Sequence, residues 1–245
     1  LLELTDYADG VIVPCEDPST DSKNDRLQMI KETESNNSLI SCMYTDGDKR
    51  LSAMLTDISE KPADMAFKTD NDGIEHKLWA VTDEKIIKLA EDALADKKMF
   101  IVDGHNRYEA CYEYKQMRMK EKGYTGKESF NYVMTLISDS KGDGRVHLPV
   151  HRLVHLGKPL AESYLIAGLQ EHFVVEKIIV DKLDDDMAET IKKQIATQRK
   201  ETIFALYTGG DYFYRFRYKG GKYLEKIMPD VSEAYRSIDL NILNK

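Results

Sequence analysis

At 245 residues the chain can bury a substantial core, in one large domain or two modest ones. Hydrophobic residues at 42% and charged residues at 32% exclude wholesale disorder, and no apolar run approaches the roughly 18 residues of a membrane span. The net charge of -8 argues against non-specific nucleic-acid binding, which is driven by Lys and Arg neutralising phosphates.

In chain order, GVIVP (10–14) predicts a short strand and CEDPSTDSKN (15–24) a polar turn. Residues 25–35 have helical character with Leu27 and Ile30 inward, and SLISCMY (38–44) reads as a buried strand. A helix follows over 48–58, and 61–80 fits two strands around the Asn-Asp-Gly turn at 71–73. Thr82, with acids behind it, starts a helix that ends near residue 97 and carries Ile86, Ala90 and Ala93 on one face. KMFIV (98–102) is a buried strand, and DGHNR (103–107) turns into a helix over 107–122 with Ala110, Cys111, Tyr114 and Met117 facing in.

FNYVMTLIS (130–138) and RVHLPVHRLVHL (145–156) read as strands joined by DSKGDG. LAESYLIAGLQ (160–170) predicts a helix, FVVEKIIV (173–180) a strand, and 184–200 an amphipathic helix with Met187, Ile191 and Ile195 on one side. TIFALY and YFYRFRY flank Thr-Gly-Gly-Asp as a hairpin. Without repeats, the pattern implies an α+β fold: a mixed sheet with helices, with a core over 1–157 and an α/β continuation over 158–245. The start at Leu1 without Met, and the amphipathic SIDLNILNK at the other end, suggest a fragment of a longer protein. Without a signal-peptide pattern, a cytoplasmic protein with no membrane partner is expected.

The stretch at 103–107 can carry chemistry. A strand that ends in Asp-Gly and turns into a helix presents free helix N–H groups at a sheet edge, where anions bind. There Gly104 allows close approach, the backbone of Asn106 offers an N–H, and Arg107 supplies a permanently charged fork for phosphate. His105 can donate to phosphate or move a proton, and Asp103 can orient or deprotonate a hydroxyl or hold magnesium. The same residues also suit an ordinary turn with a surface Arg. Glu16, Thr20, Asp25 and Arg26 cluster at another strand-to-helix turn, either as base or metal ligand plus phosphate contact, or as a capped helix with a surface ion pair.

Three further features read as structural. Cys15, Cys42 and Cys111 are widely spaced and odd in number, which fits buried thiols rather than disulfides or a metal pair. His147, His151 and His155 recur every fourth residue, but a single strand holds them too far apart to converge on a metal, so no metal site is expected. The aromatic and basic alternation of YFYRFRY suits a half-buried strand better than a base-stacking surface, given the acidic net charge.

FIVDGHNRYEACYEYK (100–115) resembles the signature of the family called domain of unknown function 1015, whose members carry an Ile-Ala-Asp-Gly-His-His-Arg-Tyr-Glu-Thr-Ala type sequence there. VIVPCEDPSTDSKNDRLQMI (11–30) resembles its His-Glu-x-Thr stretch and Asp-Arg pair, KLWAV its Leu-Trp segment, and FNYVMTLIS with LPVHRLVHL its strand and Leu-Pro-Thr-His-Arg-Leu block. The resemblance implies substrate-facing roles for Thr20, Arg26, His151 and Arg152. Two positions depart from the family: its second His is Asn106, which cannot shuttle a proton near neutral pH, and the His before Glu16 is Cys15. The family's terminal Pro-Pro-Tyr-Asp and Lys-Ser-Thr-x-Phe type segments are missing here, as a fragment would have it.

The turn is also similar to that of free serine kinases in the ParB and sulfiredoxin-like superfamily. That similarity implies a ParB/sulfiredoxin-like core and a nucleotide-dependent phosphotransferase or nucleotidase using ATP or ADP with magnesium and a small hydroxyl-bearing substrate. Asp103, His105 and Glu16 would be catalytic, and Gly104, Asn106 and Arg107 would bind phosphate. The competing expectations are a nucleotide-sensing or protein-interaction module without turnover, and a degenerate structural fragment.

Overall fold

The computed structural model describes residues 1–17, 19–71, 73–142, 151–180, 185–196 and 201–245. They divide into two units, Leu1–His147 and Leu148–Lys245. The first runs β1 (Leu2–Glu3), β2 (Ile12–Pro14), α1 (Thr20–Thr33), β3 (Ile40–Tyr44), α2 (Arg50–Ser59), β4 (Met65–Lys68), β5 (Glu75–Leu78), α3 (Glu84–Leu94), β6 (Met99–Asp103), α4 (His105–Arg118), β7 (Tyr132–Val133) and β8 (Thr135–Asp139).

Its main sheet has the order β2-β6-β3-β8. β2 and β6 are parallel, β3 runs antiparallel to β6, and β8 is parallel to β3. The sheet is therefore mixed, as the alternation of strand and helix patterns implied. Because side chains alternate across a strand, Ile12, Ile40, Cys42, Tyr44, Met99 and Ile101 share the buried face, where Tyr108 and Cys111 of α4 join them in one core cluster. The alternate positions turn outward, so Phe100 and Leu136 are exposed.

α1 packs beside α4, where Leu27, Ala110 and Tyr114 form a second cluster and Lys23 pairs with Glu113 at 3.0 Å. This helix starts at Thr20, five residues before the sequence signal, because its first turn is polar and exposed and so carries no apolar periodicity. α4 starts at His105 and buries Ala110, Cys111 and Tyr114 as expected, but Met117 is exposed and the helix ends at Arg118 rather than near 122. α2 is held from before its start: the buried Asp46 accepts from the Ser52 amide at 2.9 Å and the Ser52 hydroxyl at 2.6 Å.

β4 and β5 make an antiparallel hairpin with Met65 opposite Leu78 and Phe67 opposite His76. Its neck is closed by three bonds. The Asp64 amide donates to the Leu78 carbonyl at 3.0 Å, the Ala80 amide to the Asp64 carboxylate at 2.7 Å, and the Trp79 indole to the Lys61 carbonyl at 2.9 Å.

The second unit runs α5 (Glu162–His172), β9 (Phe173–Ile179), α6 (Asp185–Ala196), β10 (Ile203–Leu206), β11 (Tyr212–Tyr218), α7 (Tyr223–Ile227), α8 (Glu233–Arg236) and α9 (Asp239–Leu243). β11 lies between β10 and β9, antiparallel to both. Tyr212 donates its hydroxyl to Glu162 at 2.7 Å, Tyr214 does the same, and Phe213, Tyr214 and Phe216 are buried. The YFYRFRY run is thus a half-buried strand. The strand expected over 145–156 is not found over 151–156, which is irregular with Leu153 and Val154 exposed. The β-branched composition signalled a strand, but among the described residues no strand pairs with 151–156. Residues 143–150, with His147, lie outside the described residues, as do the side chains of Met187 and Ile195. Among the described residues no helix is long and apolar enough to cross a membrane.

Candidate functional site

Parallel neighbours deliver their C-terminal ends to the same sheet edge, so the 15–20 segment after β2 and the 103–107 segment after β6 meet there. β3 runs the other way and begins at this edge, with Ser41 opposite Asp103, which brings up the loop at 35–38. Three chain segments distant in sequence therefore converge at one end of the sheet.

Gly104 is the hinge of the β6–α4 turn. Its φ of +94 is left-handed, and a Cβ there would sit 2.9 Å from Arg107 Nη2. Without one, Arg107 folds back over the turn and donates to Asp103 Oδ2 at 2.7 Å. The Asp103 carboxylate is otherwise exposed to solvent. Arg107 Nε and Asn106 Oδ1 are buried atoms with no hydrogen-bond partner, and glycine has no side chain to cap the first N–H groups of α4. The turn thus keeps an unused donor, an unused acceptor and a helix N-terminus in one place.

His105 is 2% exposed, and its ring is directed at the segment after β2. The Cys15 amide donates to Nε2 at 3.0 Å, so in the neutral ring the proton is on Nδ1, 3.1 Å from Glu16 Oε1. That contact lies off the straight hydrogen-bond line and acts as a close electrostatic one. Burial pushes the His105 pKa below its ordinary value, against a smaller upward pull from Glu16. Glu16, by contrast, keeps about a third of its side chain exposed. The arrangement makes His105 the inner support and Glu16 the group presented outward, a division of labour that residue types alone did not reveal.

Arg26 on α1 and Arg107 on α4 line one cleft of about 210 Å³, with Ser35, Asn36, Asn37 and Ser38 from the loop before β3. Among the described residues no Asp or Glu lines it. Arg26 also lies 3.8 Å from Asp25. Thr20 is in the exposed first turn of α1, while His151 and Arg152 are exposed residues of the second unit. The first unit by itself brings together Glu16, Asp103, Gly104, His105, Asn106 and Arg107, and brings Arg26 to Arg107. Sequence reasoning missed the loop at 35–38; the run Ser-Asn-Asn-Ser between a helix and a strand was the available signal.

The thiols are held in their protonated form. Burial pushes Cys42 and Cys111 up to about 11, and burial with the Glu16 charge raises Cys15. Among the described residues no group of three His, Cys, Asp or Glu could hold a metal ion.

The sequence model of the family described as "Protein of unknown function (DUF1015)" matches residues 1–240. No curated protein and no solved structure matches the chain.

Proposed function

The chain belongs to this family of unknown function, and from that premise we propose that its first unit is a nucleotide-dependent phosphotransferase or nucleotidase with a ParB/sulfiredoxin-like core. The observation that carries the reading is the contact of Glu16 with His105 at the uncapped start of α4, the same helix turn that holds Arg107. Phosphoryl transfer needs positioning and charge neutralisation more than covalent chemistry, and these residues offer both. The nucleotide would be ATP or ADP and the acceptor a small hydroxyl compound or water.

In this reading Arg107 and the first N–H groups of α4 neutralise the terminal phosphate. Glu16 takes the acceptor's proton as its oxygen attacks phosphorus, and the bond from phosphorus to the bridging oxygen breaks. His105 holds Glu16 in place by a close electrostatic contact at Nδ1 and does not shuttle the proton, since Nε2 is occupied by the Cys15 amide. Magnesium usually takes one or two carboxylates plus substrate phosphates, and the exposed Asp103 fits that modest donor role; the ion would supply charge neutralisation.

A second reading, nucleotide sensing without turnover, is favoured by Asn106 at the family's second His and by the ion pair that ties Arg107 to Asp103. Sustained phosphate release or transfer at substrate excess separates the two. The first experiment is a thermal-shift panel of ATP, ADP, CTP and GTP with magnesium. A nucleotide at ~100 times its Kd adds about 2.7 kcal/mol, roughly 5–10 °C for a chain of this size. Arg107→Ala should abolish the shift; an equal shift in that variant, or none in the wild type, would sink the assignment.

A further inference from the structure

Two arginines from different helices line a small cleft in a protein whose net charge is -8. Each has an acidic neighbour outside the lining, Asp25 for Arg26 and Asp103 for Arg107, but a guanidinium has five donors and neither neighbour uses them all. Asn36 turns its amide oxygen to the Cys111 thiol at 3.6 Å, which leaves its N–H groups as donors in the same wall. The charged part of the lining is therefore positive, and the rest of it includes the apolar Met29, Ile30 and Val133. At about 210 Å³ the cleft is smaller than the ~300–1,000 Å³ usual for drug-sized ligands.

We infer that this cleft binds a small hydroxylated dianion, a phosphate monoester or dicarboxylate of a few carbons, clamped between Arg26 and Arg107. The inference rests on the phosphotransfer reading only in making this molecule the acceptor, in which case Arg107 is shared between it and the nucleotide's terminal phosphate; binding itself does not require a nucleotide. Two positive forks explain a preference for two negative charges, and the short apolar stretch sets the length between them. A monoanion of the same size would leave one guanidinium without its partner.

The test is calorimetric titration of the full chain, without nucleotide, using glycerol 3-phosphate, malate, lactate, glycerol and inorganic phosphate. Glycerol 3-phosphate, malate or both should bind about tenfold or more tighter than lactate, with glycerol silent, and the stronger of the two names the source of the charge. Arg26→Gln should lose about tenfold or more of that affinity, and Arg26→Lys, which keeps the charge but not the fork, should fall between them. Melting temperatures of both variants check that they fold, which the exposure of Arg26 favours. Lactate equal to malate and the phosphate ester, inorganic phosphate as tight as its ester, or unchanged affinity in a folded Arg26→Gln would each overturn the inference. Nucleotide shifts measured separately distinguish the two failures: dianions without nucleotide binding refute the phosphotransfer reading alone, and nucleotide without dianion binding refutes this one alone.

Discussion

Lowering the pH should loosen the join between the 15–16 segment and α4, because a protonated His105 has no lone pair left for the Cys15 amide. Burial is the largest influence on this ring and depresses its pKa below 6.5, with Glu16 and Asp103 pulling less strongly upward. As the pH falls, the unfolded chain takes up the proton first. The stabilisation is thus complete well above pH 6.5 and is lost from there down through the folded-state pKa. At about pH 5.5 the loss from this one group is at most about 1.4 kcal/mol, or roughly 3–6 °C in Tm. The assay is thermal unfolding by circular dichroism at several pH values, wild type against His105→Gln. The Gln amide oxygen can still accept from Cys15 but does not titrate, and ionising groups remote from His105 cancel in the difference. Parallel pH dependences in the two proteins would refute the reasoning.

Gly104→Ala should cost about 1–3 kcal/mol from its left-handed backbone and push Arg107 out of its 2.9 Å approach, so Tm and phosphate-ligand affinity should fall together. A variant that keeps both would show that the turn tolerates a side chain. Tyr108→Phe removes a hydroxyl that donates to the Thr5 carbonyl at 2.9 Å and accepts from the Thr5 amide at 3.0 Å, while the ring can keep its stack on Tyr7. The expected loss is about 1–3 kcal/mol, a Tm drop of roughly 2–10 °C, and an unchanged melting curve would mean that Thr5 finds water instead.

The β6–α4 turn was legible because strand, Asp-Gly and helix each leave a local mark within twenty residues, and the hairpins at 65–78 and 203–218 were legible for the same reason. The direction of His105 was not. Its type permits donation to a phosphate, but its actual partner is an amide ninety positions away, brought there by β2 lying beside β6. Arg26 came into view as a charged residue, yet its convergence with Arg107 depends on how α1 seats against α4, which no spacing encodes. The polar first turn of α1 and the irregular 151–156 stretch failed in opposite ways: one helix start had no apolar signal, and one β-like composition had no partner strand among the described residues.

The neck of the β4–β5 hairpin has a practical consequence for spectroscopy. Trp79 is the chain's single tryptophan, and it sits where the hairpin closes, with its indole bonded to the Lys61 carbonyl. Intrinsic tryptophan emission therefore reports on a peripheral excursion rather than on the cleft or the central sheet. A hairpin of two strands is marginal alone in water, so its emission change can precede the main cooperative transition. Ligands at Arg107 are better followed through the tyrosines, of which the chain has 14, or by an introduced fluorophore, while Trp79 remains a natural reporter for local opening at the neck.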